Sequence, residues 1–97
     1  MKALVNSLEE VRINIDRIDV MMIKLMAERQ LYVNEAASFK NTADEVKAPS
    51  RVEAVISKVK TLAAQHGLDQ EIAEAVYRTM INGFIQKEQE QFNKTNK

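Results

Sequence analysis

Apolar residues recur at Leu4, Leu8, Val11, Ile15, Ile18, Met22 and Leu25. The alternating spacing of three and four is that of one helix face. Carried further, the same count lands on Arg29, on Tyr32 or Val33, on Ala36 and on Lys40, with no Pro or Gly to interrupt it. The pattern predicts a helix over about residues 6–40. At about 1.5 Å per residue, some 35 residues span roughly 52 Å. A compact globule of this chain length has a radius of gyration of only about 12–13 Å. One copy cannot wrap such a helix, so the stretch predicts an oligomer. Two cations on a core-facing stripe also predict that an anion is held there.

A second helix is expected over about 50–66, beginning where Pro49 disfavours continuity with what precedes it. Its stripe is Val52, Val55, Ile56, Val59 and Leu62, and Gly67 is its C-terminal cap. A third is expected over about 69–92, capped by Asp69, with a stripe of Ile72, Val76, Met80, Ile81, Phe84, Glu88 and Phe92. Ser7 or Asn6 caps the first helix, with Glu9 and Glu10 in its first turn. Residues 41–48 read as a short polar loop, and 93–97 as a fraying tail. The expectation is one all-α domain, 1–97, of one long and two shorter helices.

Composition narrows the function classes. With 14 basic and 14 acidic side chains the formal charge is zero, which gives no general nucleic-acid surface. Two Tyr, three Phe and no Trp serve base stacking poorly. Without cysteine there is no disulfide, thiolate chemistry or Cys-based zinc site. Glu9, Glu10 and Arg12 interrupt any signal-peptide core, and no apolar run approaches the roughly 20 residues of a membrane span. A cytoplasmic protein without metal, cofactor or membrane partner is expected. The lone His66 falls at a helix end and is given no catalytic role.

Charges on or beside the apolar stripes carry the remaining information: Arg12, Arg29, Lys40, Arg51 and Glu88. An unpartnered buried charge costs several kcal/mol, so each needs a partner or a ligand. Arg29 and Lys40, 11 residues apart, would share a helix face about 16 Å apart, within reach of one small ligand. Arg12 lies some 25 Å from Arg29 and about 100° around the helix, so it would serve the pocket of an antiparallel second chain. Charge pattern alone leaves the alternative open, in which these cations pair with Glu28, Glu35, Asp44 or Glu88.

Val11-Arg12-Ile13-Asn14-Ile15-Asp16-Arg17-Ile18-Asp19, Ala27-Glu28-Arg29, Phe39-Lys40, Arg51 and His66-Gly67-Leu68-Asp69 resemble the all-helical (type II) chorismate mutases. The resemblance covers about residues 7–92, and the ordered series Arg, Arg, Lys, Arg is its specific part. Ile15-Asp16-Arg17-Ile18-Asp19, Tyr32-Val33, Phe39-Lys40 and Ala48-Pro49 with Arg51-Val52 look more like the isochorismate pyruvate lyase branch. The resemblance implies an intertwined antiparallel homodimer of three-helix chains, each pocket borrowing an Arg from its partner, with a small dicarboxylate as substrate.

It also implies roles. Arg29 and the second chain's Arg12 would clamp the carboxylates, Lys40 would donate to the ether oxygen, and Arg51 would add a cation at the pocket wall. Phe84 and Lys47 are further candidates, Lys47 being equally readable as an exposed loop cation. The rearrangement of chorismate to prephenate is pericyclic, so positioning and charge stabilisation are what a pocket must supply. Two residues depart from the bacterial pattern. Glu88 stands where Gln is usual, with Gln86 or Gln89 as the donor if the helical register differs by a step. A carboxylate accepts only, so Glu88 would have to act protonated, as Glu does in some eukaryotic members. Ala48 and Val52 stand where mutases of the standard type carry acids, a loss shared with the lyase branch. The reading is a chorismate mutase, with isochorismate pyruvate lyase as the alternative and a non-catalytic helical dimerisation or regulatory module as a third.

Overall fold

The computed structural model describes residues 7–39 and 49–95, with side chains up to residue 90 except that of residue 37. These residues form three helices and no strand: α1, Leu8–Ala37; α2, Pro49–Gln65; and α3, Gln70–Thr95. The chain divides after Val33 into two units.

Ser7 caps α1 as expected. Its Oγ accepts from the Glu10 N–H at 3.1 Å, and its carbonyl accepts from Val11 N–H at 3.1 Å. Glu9 and Glu10 fill the first turn, where the helix dipole favours anions. The far end differs from expectation. Regular helix stops at Ala37, short of Lys40, because the last turn tightens. The N–H groups of Ser38 and Phe39 bond three residues back, to Glu35 and Ala36, both at 3.1 Å, and Ser38 Oγ donates to the Glu35 carbonyl at 2.7 Å. A serine hydroxyl that competes for helical carbonyls is a common reason for a helix to end. Lys40, the 41–48 loop, Lys47 and Ala48 lie outside the described residues.

Within the first unit the stripe of α1 has no cover. Leu8, Val11, Ile15, Ile18, Met22 and Leu25 are between 36% and 63% exposed. Ile13, Val20 and Leu31 on the opposite side are exposed as well, and periodicity had not singled them out.

The second unit contains a helical hairpin. Pro49 is the first residue of α2, where its missing N–H costs nothing and its fixed φ suits the helix. Gly67, at φ 73°, ends α2. Leu68 N–H reaches back to the Ala63 carbonyl at 2.8 Å and Gly67 N–H to Ala64 at 3.4 Å, the paired bonds of a Schellman motif. Asp69 then caps α3, its Oδ1 accepting from the N–H groups of Glu71 (2.8 Å) and Ile72 (3.3 Å). His66 falls in the turn, one residue past α2. Helix α3 continues to Thr95, beyond the expected end at 92. The segment Gln86 to Gln91 consists of good helix formers with no Gly or Pro, so nothing stops it earlier.

The hairpin seam is built from Ile56, Val59 and Ala63 on α2 and Ala73 and Ile81 on α3, with Val55 and Tyr77 packed against it. Here the structure corrects the expected faces. Ala63 is buried while Leu62 is exposed; Ala73 and Tyr77 face inward while Ile72 and Val76 face out. So short a connection brings the two helices close, and alanines let their backbones approach where leucine or isoleucine would hold them apart. Each buried isoleucine contributes about 1.5–3 kcal/mol over exposure.

Candidate functional site

Both arginines expected on the first helix lie within α1. Arg12 is exposed and Arg29 half-buried, the latter engaged in an interaction of its own. Seventeen residues of regular helix put them some 25 Å apart along the axis and about 100° apart around it. One pocket on one chain therefore cannot receive both from the same helix. The helical count from Arg29 to Lys40 does not carry through, since α1 ends at Ala37.

Arg51, Phe84 and Glu88 belong to the second unit. Arg51 is exposed in the first turn of α2, and Val52, which stands where an acid is expected in standard mutases, is half-buried. On α3 the inward positions run Ala73, Tyr77, Ile81, Phe84 and Glu88 at steps of four, four, three and four. Glu88 is 6% exposed and its Oε1 is closed off from solvent. Its neighbours Gln86 and Gln89 are exposed and half-buried, so Glu88 is the residue of the three that the helix turns inward. Helices α2 and α3 run back to back from the Gly67 turn. By the register of their cross-links, Glu53 with Arg78 and Lys60 with Glu74, Arg51 near the open end of the hairpin lies at the level of about Met80 to Gly83, and Glu88 lies more than a turn beyond it.

Those cross-links were not foreseen as a unit. Arg78 of α3 donates from Nη1 and Nη2 to the two carboxylate oxygens of Glu53 at 2.8 and 2.9 Å, and from Nε to Glu74 at 2.8 Å. Lys60 adds a contact to Glu74 at 3.5 Å. Hydrogen bonds from Arg78 hold the carboxyls of Glu53 and Glu74 below their ordinary 4.5, and the same bonds raise the Arg78 guanidinium. The spacing of Glu74 and Arg78, one turn apart, was a readable signal; the partnership with Glu53, 25 residues away, was not. A cleft of about 350 Å³ opens along this flank, bounded by Glu53, Ser57, Lys60, Gln70, Glu74 and Arg78. Its charges answer one another, and it contains neither Arg51 nor Glu88.

Among the described residues no group of three or more His, Asp or Glu is placed to hold a metal ion, and no helix is long and apolar enough to cross a membrane.

The type II chorismate mutase profile matches residues 11–89, and the chain belongs to that family. Among curated relatives, it is 32% identical over 78 residues to an isochorismate pyruvate lyase of Pseudomonas aeruginosa, covering 80% of this chain and 77% of that protein. It is 29% identical over 88 residues to a chorismate mutase of Methanocaldococcus jannaschii, covering 88% of this chain and 89% of the relative.

Proposed function

We propose that the protein is a chorismate mutase, a cytoplasmic homodimer that rearranges chorismate to prephenate for aromatic amino acid synthesis. The observation that carries this reading is Glu88, an acid buried on the inward stripe of α3 in a chain of this family. A side chain placed so has a use if it meets a polar atom of a ligand.

Two copies of α1 pack antiparallel through the exposed stripe from Leu8 to Leu25. Burying that stripe supplies the association energy, and it brings Arg12 of one chain to the pocket of the other. Arg29 and the second chain's Arg12 bind the two carboxylates; a guanidinium fork suits a carboxylate because both oxygens can be met at once. Arg51 adds a third cation, and Phe84 walls the pocket. Lys47, on the covering loop, adds positive potential.

In the reaction the ether C–O bond breaks while a C–C bond forms, within one molecule and without loss of atoms. Negative charge grows on the ether oxygen as its bond lengthens. Lys40 donates to that oxygen, and Glu88, as a neutral acid, donates from the other side. The rest of the rate comes from holding the compact conformer in which the two carbons meet.

A second reading is favoured by the relative named for the lyase activity and by Ala48 and Val52 in place of acids. The cations that bind carboxylates and ether oxygen serve isochorismate equally well. A spectrophotometric assay decides between them. Prephenate formed from chorismate supports the mutase; salicylate and pyruvate released from isochorismate support the lyase. Turnover of neither substrate, from acidic to mildly alkaline pH, leaves a non-catalytic helical module.

A further inference from the structure

Arg51 and Glu53 stand two residues apart on α2, about 200° around the helix from each other. They flank the buried seam of Ile56, Val59 and Ala63 on opposite sides. On the Glu53 side, α2 is tied to α3 by two hydrogen bonds from Arg78, at 2.8 and 2.9 Å. The tightest part of the seam, the alanine pair Ala63 and Ala73, sits beside the Gly67 turn, far from Arg51. Near the open end, apolar packing alone permits α2 to roll on α3, because apolar contact has no direction. A two-pronged guanidinium–carboxylate pair does have direction, since both prongs are lost if either helix turns. Its third bond, to Glu74 one turn away, keeps the guanidinium from following Glu53.

We propose that Arg78 is a positioning residue, whose grip on Glu53 and Glu74 fixes the roll of α2 on α3 and thereby the direction in which α2 presents Arg51 to the substrate site. The proposal rests on the enzymatic reading above. As a source of stability these bonds are worth little, because water and salt screen ion pairs at the surface. Their effect is geometric. A shift on the order of 1 Å in a substrate-holding group is enough to cost up to about 10²-fold in rate. Lysine in place of Arg78 keeps the charge and loses the fork, so it does not substitute.

The test uses the full-length protein at a temperature where circular dichroism shows each variant folded. Arg78→Met keeps the aliphatic stem and removes every donor. It is expected to raise KM for the substrate and lower kcat/KM by about tenfold. Arg78→Lys recovers little of this, and the reversed pair Glu53→Arg with Arg78→Glu recovers most, since an arginine at 53 can again fork between two carboxylates. Glu53→Gln, which leaves the bond to Glu74 in place, gives a smaller loss in the same direction and serves where Arg78→Met does not fold. A merely structural role lowers the melting temperature and leaves KM untouched. Folded Arg78→Met with unchanged KM and kcat, or full recovery by lysine, overturns the proposal while the enzymatic reading stands. Wild-type protein inactive on both chorismate and isochorismate removes the enzymatic reading and the proposal with it.

Discussion

Glu53 and Arg78 face each other across two helices, joined by two parallel hydrogen bonds of 2.8 and 2.9 Å. The guanidinium carries a third bond to Glu74 on its own helix. The acid response of the fold follows from this relationship. Both carboxyls titrate below 4.5 in the folded chain, chiefly through the hydrogen bonds of Arg78. A lowered folded value means that the unfolded chain takes up protons first as pH drops. The stability they contribute is therefore complete above about pH 5 and is lost as pH falls through the folded values. Urea titrations at a series of acid pH values are expected to show this decline, and Glu53→Gln to make it shallower without steepening it anywhere above pH 5.

The hairpin turn offers a separate check. Gly67 holds φ at 73°, and a Cβ built there meets nothing within 4 Å. Gly67→Ala is thus strained by its backbone and not by crowding, and is expected to cost about 1 kcal/mol. Asp69→Ala removes the acceptor shared by the Glu71 and Ile72 N–H groups and is expected to cost about 1 kcal/mol as well. Chemical denaturation measures both. Because the cap and the turn are adjacent, the double variant falls short of the sum if the strained turn already loosens the cap.

Ile56, at 3% exposure, is the most enclosed side chain of the hairpin. Ile56→Ala is expected to destabilise by about 2–5 kcal/mol, through lost burial and the cavity left behind. Leu62→Ala, at an outward position nearly two turns further on, is expected to have a much smaller effect in the isolated chain. Equal losses from the two would contradict the placement of the seam.

For the reaction itself, Lys40→Ala is expected to lower kcat by about 10²–10³ if its ammonium meets the developing charge. Glu88→Gln keeps a donor at this position and is expected to retain activity, whereas Glu88→Ala removes it and is expected to lower kcat. A folded Glu88→Ala protein with unchanged kcat removes Glu88 from that role.

The proposed supply of Arg12 from a second chain makes a prediction without any counterpart in a monomer. Arg12→Ala and Arg29→Ala chains, each inactive alone, are expected to regain part of the wild-type activity when mixed and refolded together. In a heterodimer one of the two pockets receives both native arginines. Mixtures that stay inactive while sedimenting as dimers contradict the exchange.

What was legible in the chain divides along physical lines. Helix starts and stops with a local chemical cause, such as Ser7, Pro49, Gly67 and Asp69, are written in single residues and fall within a residue of where the structure has them. The end of α1 at Ala37 was not legible, because Ser38 is polar in either setting and only the tightened turn reveals its choice. Apolar periodicity found the helices and missed the rotation of α3. Ile72 and Ala73 both fit a helical count, and what selects alanine is the closeness of α2. Glu88 was legible as a charge on an apolar stripe, whereas Arg78 was not, since its spacing to Glu74 is that of any solvated helix face. The partner that gives Arg78 its meaning lies on another element.

The short-range closure of the hairpin at Ala63, Gly67 and Leu68 bears on the order of events as the chain is made. Contacts between residues close in sequence form fast, and the α2–α3 pair needs only about 45 residues to be complete. The stripe of α1 is synthesised first and has no neighbour of that kind. It leaves the ribosome with its isoleucines and leucines in water, while the hairpin behind it is still being translated. Acidic and basic residues interleaved along α1, from Glu9 to Glu35, oppose clumping of this nascent segment in the interval.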